Sequence, residues 1–164
     1  MRVVSNTSPI SNLAIIGRLD VLSHQFGTIL IPEAVRRELS RLEHQAGRQA
    51  IEQALTQGWI QIEPTTPSDL ARNLASTLDA GEAEAIALAS ESAADLLIMD
   101  ETAGRAAARN FGITMTGTLG VLLKEKREGR LALIGEEMDR LVNDAGFFIS
   151  GRIRQLFLEA AVEN

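Results

Sequence analysis

The chain of 164 residues has no cysteine, no tyrosine, one tryptophan (Trp59) and four prolines. Without cysteine there is no disulfide, no thiolate ligand for zinc and no thiol nucleophile, which fits a protein of the reducing cytoplasm. Long apolar runs are missing too. Nothing approaches the roughly 20 residues of a membrane helix, and the opening residues are too polar for a secretory signal. Aromatic residues make up 4% of the chain, so Trp59 and Phe111 are expected in the core and not on a base-stacking surface. Positive charge is also scarce: 16 Lys and Arg stand against 22 Asp and Glu, a net charge of -6. This balance argues against a broad electrostatic grip on nucleic acid, but not against acids clustered to hold cations. What remains is 45% hydrophobic and 23% charged, the profile of a globular protein. One core suffices for this length, so a single domain over residues 1–164 is expected.

Five short β-branched or leucine-rich runs recur, at residues 2–5, 28–31, 59–62, 96–99 and 113–116. Helical patterns lie between them. Pro32 opens one with Val35, Leu39 and Leu42 on a stripe, and others cover 45–56, 67–78, 81–92, 102–110, 118–128, 131–144 and 151–162. Strands alternating with helices define an α/β fold with a mainly parallel sheet of about five strands, covered on both faces. The most loop-like segment is EPTTPSD, from Pro64 to Pro67, and it is too short to separate domains. In the opening VVSNTSPI, Ser8 and Pro9 read as the N-cap and first position of a helix. Asn6 then lies at the carboxyl end of the first strand, where open α/β sheets bind ligands.

Several acids occupy positions that solubility does not explain. Glu38 falls inside the stripe formed by Val35, Leu39 and Leu42. Glu82 shares a face with Ala85, Ile86 and Ala89, whereas Glu84 lies with Leu88 and Glu91 on a more polar side. LLIMDE ends a buried strand on Asp100, at the same sheet edge as Asn6 if the two strands are parallel. Each has a simpler explanation: a capping box of Asp79 with Glu82, an N-cap role for Asp100, a local pair of Glu38 with Arg36, Arg37 or Arg41, and an Asx turn at Asn6. These leave the joint clustering unexplained. Oxygen ligands without His or Cys suit Mg²⁺ or Mn²⁺, and crowded carboxylates are tolerated when a cation neutralises them.

The ordered series SNTSPISNLAIIGRLDVL, IPEAVRREL, DAGEAEAIALA, LLIMDETAGRAAARNFGITMTGTLGVLL and GFFIS resembles the PIN-domain nucleases, in particular a branch similar to VapC-type toxins. The resemblance covers nearly the whole chain. It implies a Rossmann-like three-layer sandwich and a Mg²⁺- or Mn²⁺-dependent endoribonuclease that hydrolyses RNA phosphodiesters with metal-activated water. It also implies a toxin of a toxin–antitoxin pair with a small protein antitoxin, and a homodimer. Carried over by position, it assigns Asn6, Glu38, Glu82 and Asp100 to both metal binding and catalysis, with Ser8 assisting. Asp79 and Glu101 are neighbours without an assigned ligand role.

Asn6 departs from the family pattern, which has Asp at this place. An amide oxygen can still bind a hard cation, but it brings no charge and cannot act as a base. The implied outcome is a weakened nuclease, with a catalytically silent scaffold that binds RNA or a protein as the alternative. Arg105 is the chosen substrate contact among Arg36, Arg37, Arg105, Arg109 and Lys124, with pairing to Asp100 or Glu101 as its structural alternative. TGTLG lacks the phosphate-loop lysine and reads as a closely packed helix start. Leu122, Leu123, Leu141 and Phe157 are expected either at a dimer contact or in the core.

Overall fold

The computed structural model describes residues 1–64 and 68–164. Part of the expected loop at 64–67, and the expected helix start at Pro67, lie outside the described residues.

In chain order the elements are β1 (Val3–Ser5), α1 (Thr7–Ile15), α2 (Asp20–Phe26), β2 (Ile29–Ile31), α3 (Glu33–Ser40), α4 (Gln45–Gln57), β3 (Ile60–Ile62) and α5 (Asp69–Leu74). They continue with α6 (Ala80–Glu91), β4 (Leu96–Ile98), α7 (Thr102–Arg109), β5 (Met115–Thr116), α8 (Thr118–Arg127), α9 (Ile134–Ala145) and α10 (Gly151–Ala160). The strands form one sheet of order β3-β2-β1-β4-β5, and every pairing is parallel. Parallel strands need crossover connections, which the intervening helices provide.

Alternation along the strands divides the core between the two faces of the sheet. Val3 and Ile98 pack into one apolar cluster with Ile10, Leu13, Leu122 and Leu141. Val4, Leu97 and Met99 pack into a second with Ala83, Ile86 and Ala89 of α6. The layers are thus helix, sheet and helix, the PIN-like architecture expected from the sequence. Each fully buried Ile or Leu here contributes about 1.5–3 kcal/mol of transfer free energy.

The strand order places a topological switch between β1 and β4. From β1 the chain builds outward through β2 and β3, then returns to lay β4 on the other side of β1. Ser5 is in register with Ile98, so the segments after both strands, Asn6 and Met99 to Glu101, emerge side by side. Crevices form at such points because the following helices leave in opposite directions.

Several expectations change. The first helix begins at Thr7 with Asn6 as its N-cap, so Ser8 and Pro9 are its second and third residues. Proline is tolerated there because the first N–H groups of a helix have no partner within it. The helix α2 was not among the expected elements. The helix expected over 67–78 ends at Leu74, since Asp79 must be extended (φ -69°, ψ 168°) to cap the next helix. Leu88, expected on a polar side, is buried. Leu122 and Leu141 are wholly buried in the core, and the partly buried Leu123 and Phe157 pack against it.

Candidate active site

The residues at the switch point are held by helix starts. Asn6 caps α1 by position only. Its side chain accepts no bond from the helix: an N-cap oxygen normally takes the N–H of the second or third residue, and the third is Pro9, which has none. The Asn6 amide is therefore used elsewhere. Its Nδ2 donates to Glu101 Oε2 at 3.0 Å, while Oδ1 is buried without a partner. Ser8 Oγ donates to the other oxygen of Glu101.

Glu38, on α3, crosses to the start of α6. Its carboxylate accepts from Gly81 N at 3.1 Å and from Thr7 Oγ1. Gly81 is required there, since an added Cβ would lie 2.8 Å from Glu38 Cδ. The expected local pairing of Glu38 with arginine does not form: Arg36 meets Glu52 at 3.2 Å and Arg37 meets Glu84 at 3.8 Å. At the same helix start Asp79 and Glu82 make the full capping box, with Glu82 N donating to Asp79 Oδ1 at 2.8 Å and Asp79 N to Glu82 Oε2 at 3.3 Å. Both the capping role and the inward direction read from the sequence hold for Glu82.

Asp100 is not the N-cap of α7; Glu101 occupies that position. Asp100 instead accepts from Thr118 N at 2.8 Å and Thr118 Oγ1 at 2.6 Å, capping the start of α8 across the sheet edge. The glycine of TGTLG is needed for this approach, because a Cβ on Gly117 would meet Asp100 Oδ1 at 2.8 Å. Arg105 donates to Met99 O at 2.9 Å, and its charge reaches Asp100.

Electrostatics joins these acids. Burial pushes the Glu82 carboxyl up, and the charges of Asp79, Glu101 and Glu38 push it further. Burial also raises Asp100; the Thr118 bonds and Arg105 pull it down and Glu101 pushes it up. Glu101 acts on both Glu82 and Asp100, which places these carboxylates in one electrostatic neighbourhood. Ser8, Asp100 and Glu101 line a crevice of about 340 Å³ that also holds the exposed Phe148.

Sequence reasoning brought Asn6, Ser8, Glu38, Glu82 and Asp100 to this neighbourhood. It underrated Glu101, whose only signal was its place directly after Asp100, and it missed Thr7 and Thr118, the hydroxyls that hold two of the carboxylates. Glu84 lines a different groove of about 410 Å³ beside Arg37 and Arg72. Trp59 packs against the core, as expected, whereas Phe111 is 42% exposed. Lys124 lies over the Phe26 ring at 5.8 Å.

The donor set fits a hard cation in kind, being carboxylate and amide oxygens, one of them the partnerless Asn6 Oδ1. Among the described residues, no three acidic or histidine side chains already enclose a metal position. The carboxylates are engaged instead with helix starts and hydroxyls. No helix among the described residues is long and apolar enough to cross a membrane.

The family model DUF3368, a PIN domain, matches residues 2–163. No curated protein matches the chain.

Proposed function

The chain belongs to the PIN-domain family, a family of nucleases, and from that premise we propose that the crevice at the end of β1 and β4 is the site of a divalent-metal-dependent endoribonuclease. The observation that carries this reading is a buried amide oxygen with no partner, Asn6 Oδ1, at the sheet edge where Asp100 and Glu101 emerge beside β1, with neighbouring acids adding to the rise that burial gives Glu82 and Asp100.

Bound Mg²⁺ or Mn²⁺ would supply charge neutralisation and activation of water for attack on a phosphodiester. Asn6, Glu38, Glu82 and Asp100 would hold it. The chain's own work is placement. Thr118 fixes both oxygens of Asp100, and Thr7 and Gly81 fix Glu38, so neither carboxylate has to be ordered when a ligand arrives. The Glu82 carboxyl is raised by burial and then by Asp79, Glu101 and Glu38, a crowding that a bound cation would relieve. Ser8, which lines the crevice, and Arg105, bonded to Met99 O beside it, are the proposed contacts to the RNA backbone.

The test is cleavage of single-stranded and structured RNA with Mn²⁺, run beside calorimetric Mn²⁺ titration of wild type and Asp100→Asn. The substitution retains an oxygen for Thr118 N but removes the charge, so Mn²⁺ affinity falls at least about tenfold and cleavage is lost. A variant that cleaves like wild type rejects the assignment.

A second reading has its own support. Neutral Asn6 and the unassembled acids favour a scaffold that binds RNA or a protein without cutting. RNA bound by a protein that neither cleaves nor takes up Mn²⁺ would establish it. We also propose a toxin role with a small antitoxin, and a homodimer, on the resemblance of the ordered motifs to VapC-type toxins. Growth arrest on expression tests the first. For the second, Ile153 and Leu156, three apart on α10 and 38% and 50% exposed, offer an apolar face, and the mass in dilute solution decides it.

A further inference from the structure

Glu101 stands at the N-cap of α7, yet its side chain makes no bond to that helix. An acid following a strand usually serves as that cap. Here the carboxylate turns to β1 and is held at both oxygens, by Asn6 Nδ2 at 3.0 Å and by Ser8 Oγ. The simplest structural role for an acid at this position is therefore unused.

The pairing also explains position 6. The amide donates to Glu101 there, whereas an ionised Asp would set two carboxylate oxygens about 3.0 Å apart. The opposite amide orientation would oppose two acceptors, so the hydrogen bond fixes which way Asn6 points. Its Oδ1 is left in a 2% exposed residue without a donor: Pro9 has no N–H, and the side chain takes no bond from the rest of the helix start. A buried acceptor without a donor, on a side chain bonded to a carboxylate, is an oxygen suited to a cation.

We infer that Glu101 carries the negative charge of the β1 corner of the site, with Asn6 and Ser8 as its positioning residues and Asn6 Oδ1 as a neutral oxygen donor. The inference rests on the metal-dependent reading above and adds a carboxylate to it. The charge expected at position 6 has been moved to position 101 and not lost. The effect of Glu101 on both Glu82 and Asp100 agrees with its place inside the cluster.

The experiment is a reciprocal exchange. Mn²⁺ affinity by calorimetry and the melting temperature without metal are measured for wild type, Glu101→Gln, Asn6→Asp and the double variant Asn6→Asp/Glu101→Gln. Glu101→Gln lowers Mn²⁺ affinity about tenfold or more while the protein remains folded. Asn6→Asp lowers the metal-free melting temperature, because two carboxylates now face each other. The double variant, with the charge returned to position 6, recovers both quantities. Wild-type Mn²⁺ affinity in Glu101→Gln, or a double variant no better than Glu101→Gln, overturns the inference and leaves the metal-dependent reading standing. A wild-type protein that takes up no Mn²⁺ overturns both.

Discussion

At Asp100, burial and hydrogen bonding act in opposite directions on the same carboxyl group. Burial raises it, and the two bonds from Thr118 oppose the rise. Thr118 is itself wholly buried, so its hydroxyl has no access to bulk water. Thr118→Val keeps the shape and deletes the donor at 2.6 Å. We expect a loss of about 1.5–3 kcal/mol in unfolding free energy at pH 7, the range for hydrogen bonds to charged groups. Urea unfolding of Thr118→Val beside Thr118→Ser measures it; equal stability of the two would show that the hydroxyl bond contributes nothing. At this scale the sequence identified acids that interrupt an apolar pattern, Glu38 within its stripe and Asp100 at the end of its strand. It was silent where an acid or hydroxyl sits in a position that local structure already explains. Glu101 before a helix looks like a cap, Ser8 before Pro9 looks like another, and only the fold shows both facing β1.

Three acids meet where α6 begins. Glu38 and Asp79 supply acceptors to N–H groups that a helix start otherwise leaves to water, and Glu82 closes the capping box. Gly81 lets Glu38 approach. In Gly81→Ala the new Cβ meets the end of a flexible side chain, so Glu38 moves aside and the fold survives. A helix gains up to about 1 kcal/mol from Gly→Ala, which offsets only part of the lost bond to a carboxylate, about 1.5–3 kcal/mol. The expected result is a modestly lowered melting temperature with Mn²⁺ affinity reduced about tenfold or more. Undiminished Mn²⁺ binding would mean that the position of Glu38 does not matter to the metal. The capping box of α6 was legible because its spacing is local. The end of α5 was not, because it is set by the extended backbone that Asp79 needs, a demand arising in the next element. The helix α2 was overlooked because its seven residues bury only Val21 and Leu22, too few to mark a period.

For the molecule as a whole, the five parallel strands and two covered faces could be read from the alternation of apolar runs with helical stripes, but their order could not. Order decides the site, since the crevice exists only because β4 returns to lie beside β1. Non-local closure appears again at the end of the chain. Glu163 Oε2 and Oε1 accept from Ile134 N at 2.8 Å and Gly135 N at 3.1 Å, and Lys126 Nζ lies 3.4 Å from Oε2. Burial pushes this carboxyl up, but the two N–H groups and Lys126 outweigh it, and the group is held below the ordinary carboxylate value. A folded pKa below the unfolded one means that the unfolded chain binds protons more readily. The stabilisation is therefore complete above the unfolded value of 4.5 and fades as pH falls through the lower folded value. Glu163→Gln, far from the acidic crevice, should thus cost about 1.5–3 kcal/mol at pH 7. The gap from wild type should narrow steadily in urea titrations carried below pH 4.5. A gap that stays constant down to the acid transition would show that packing of the side chain, and not its charge, fastens the terminus to α9.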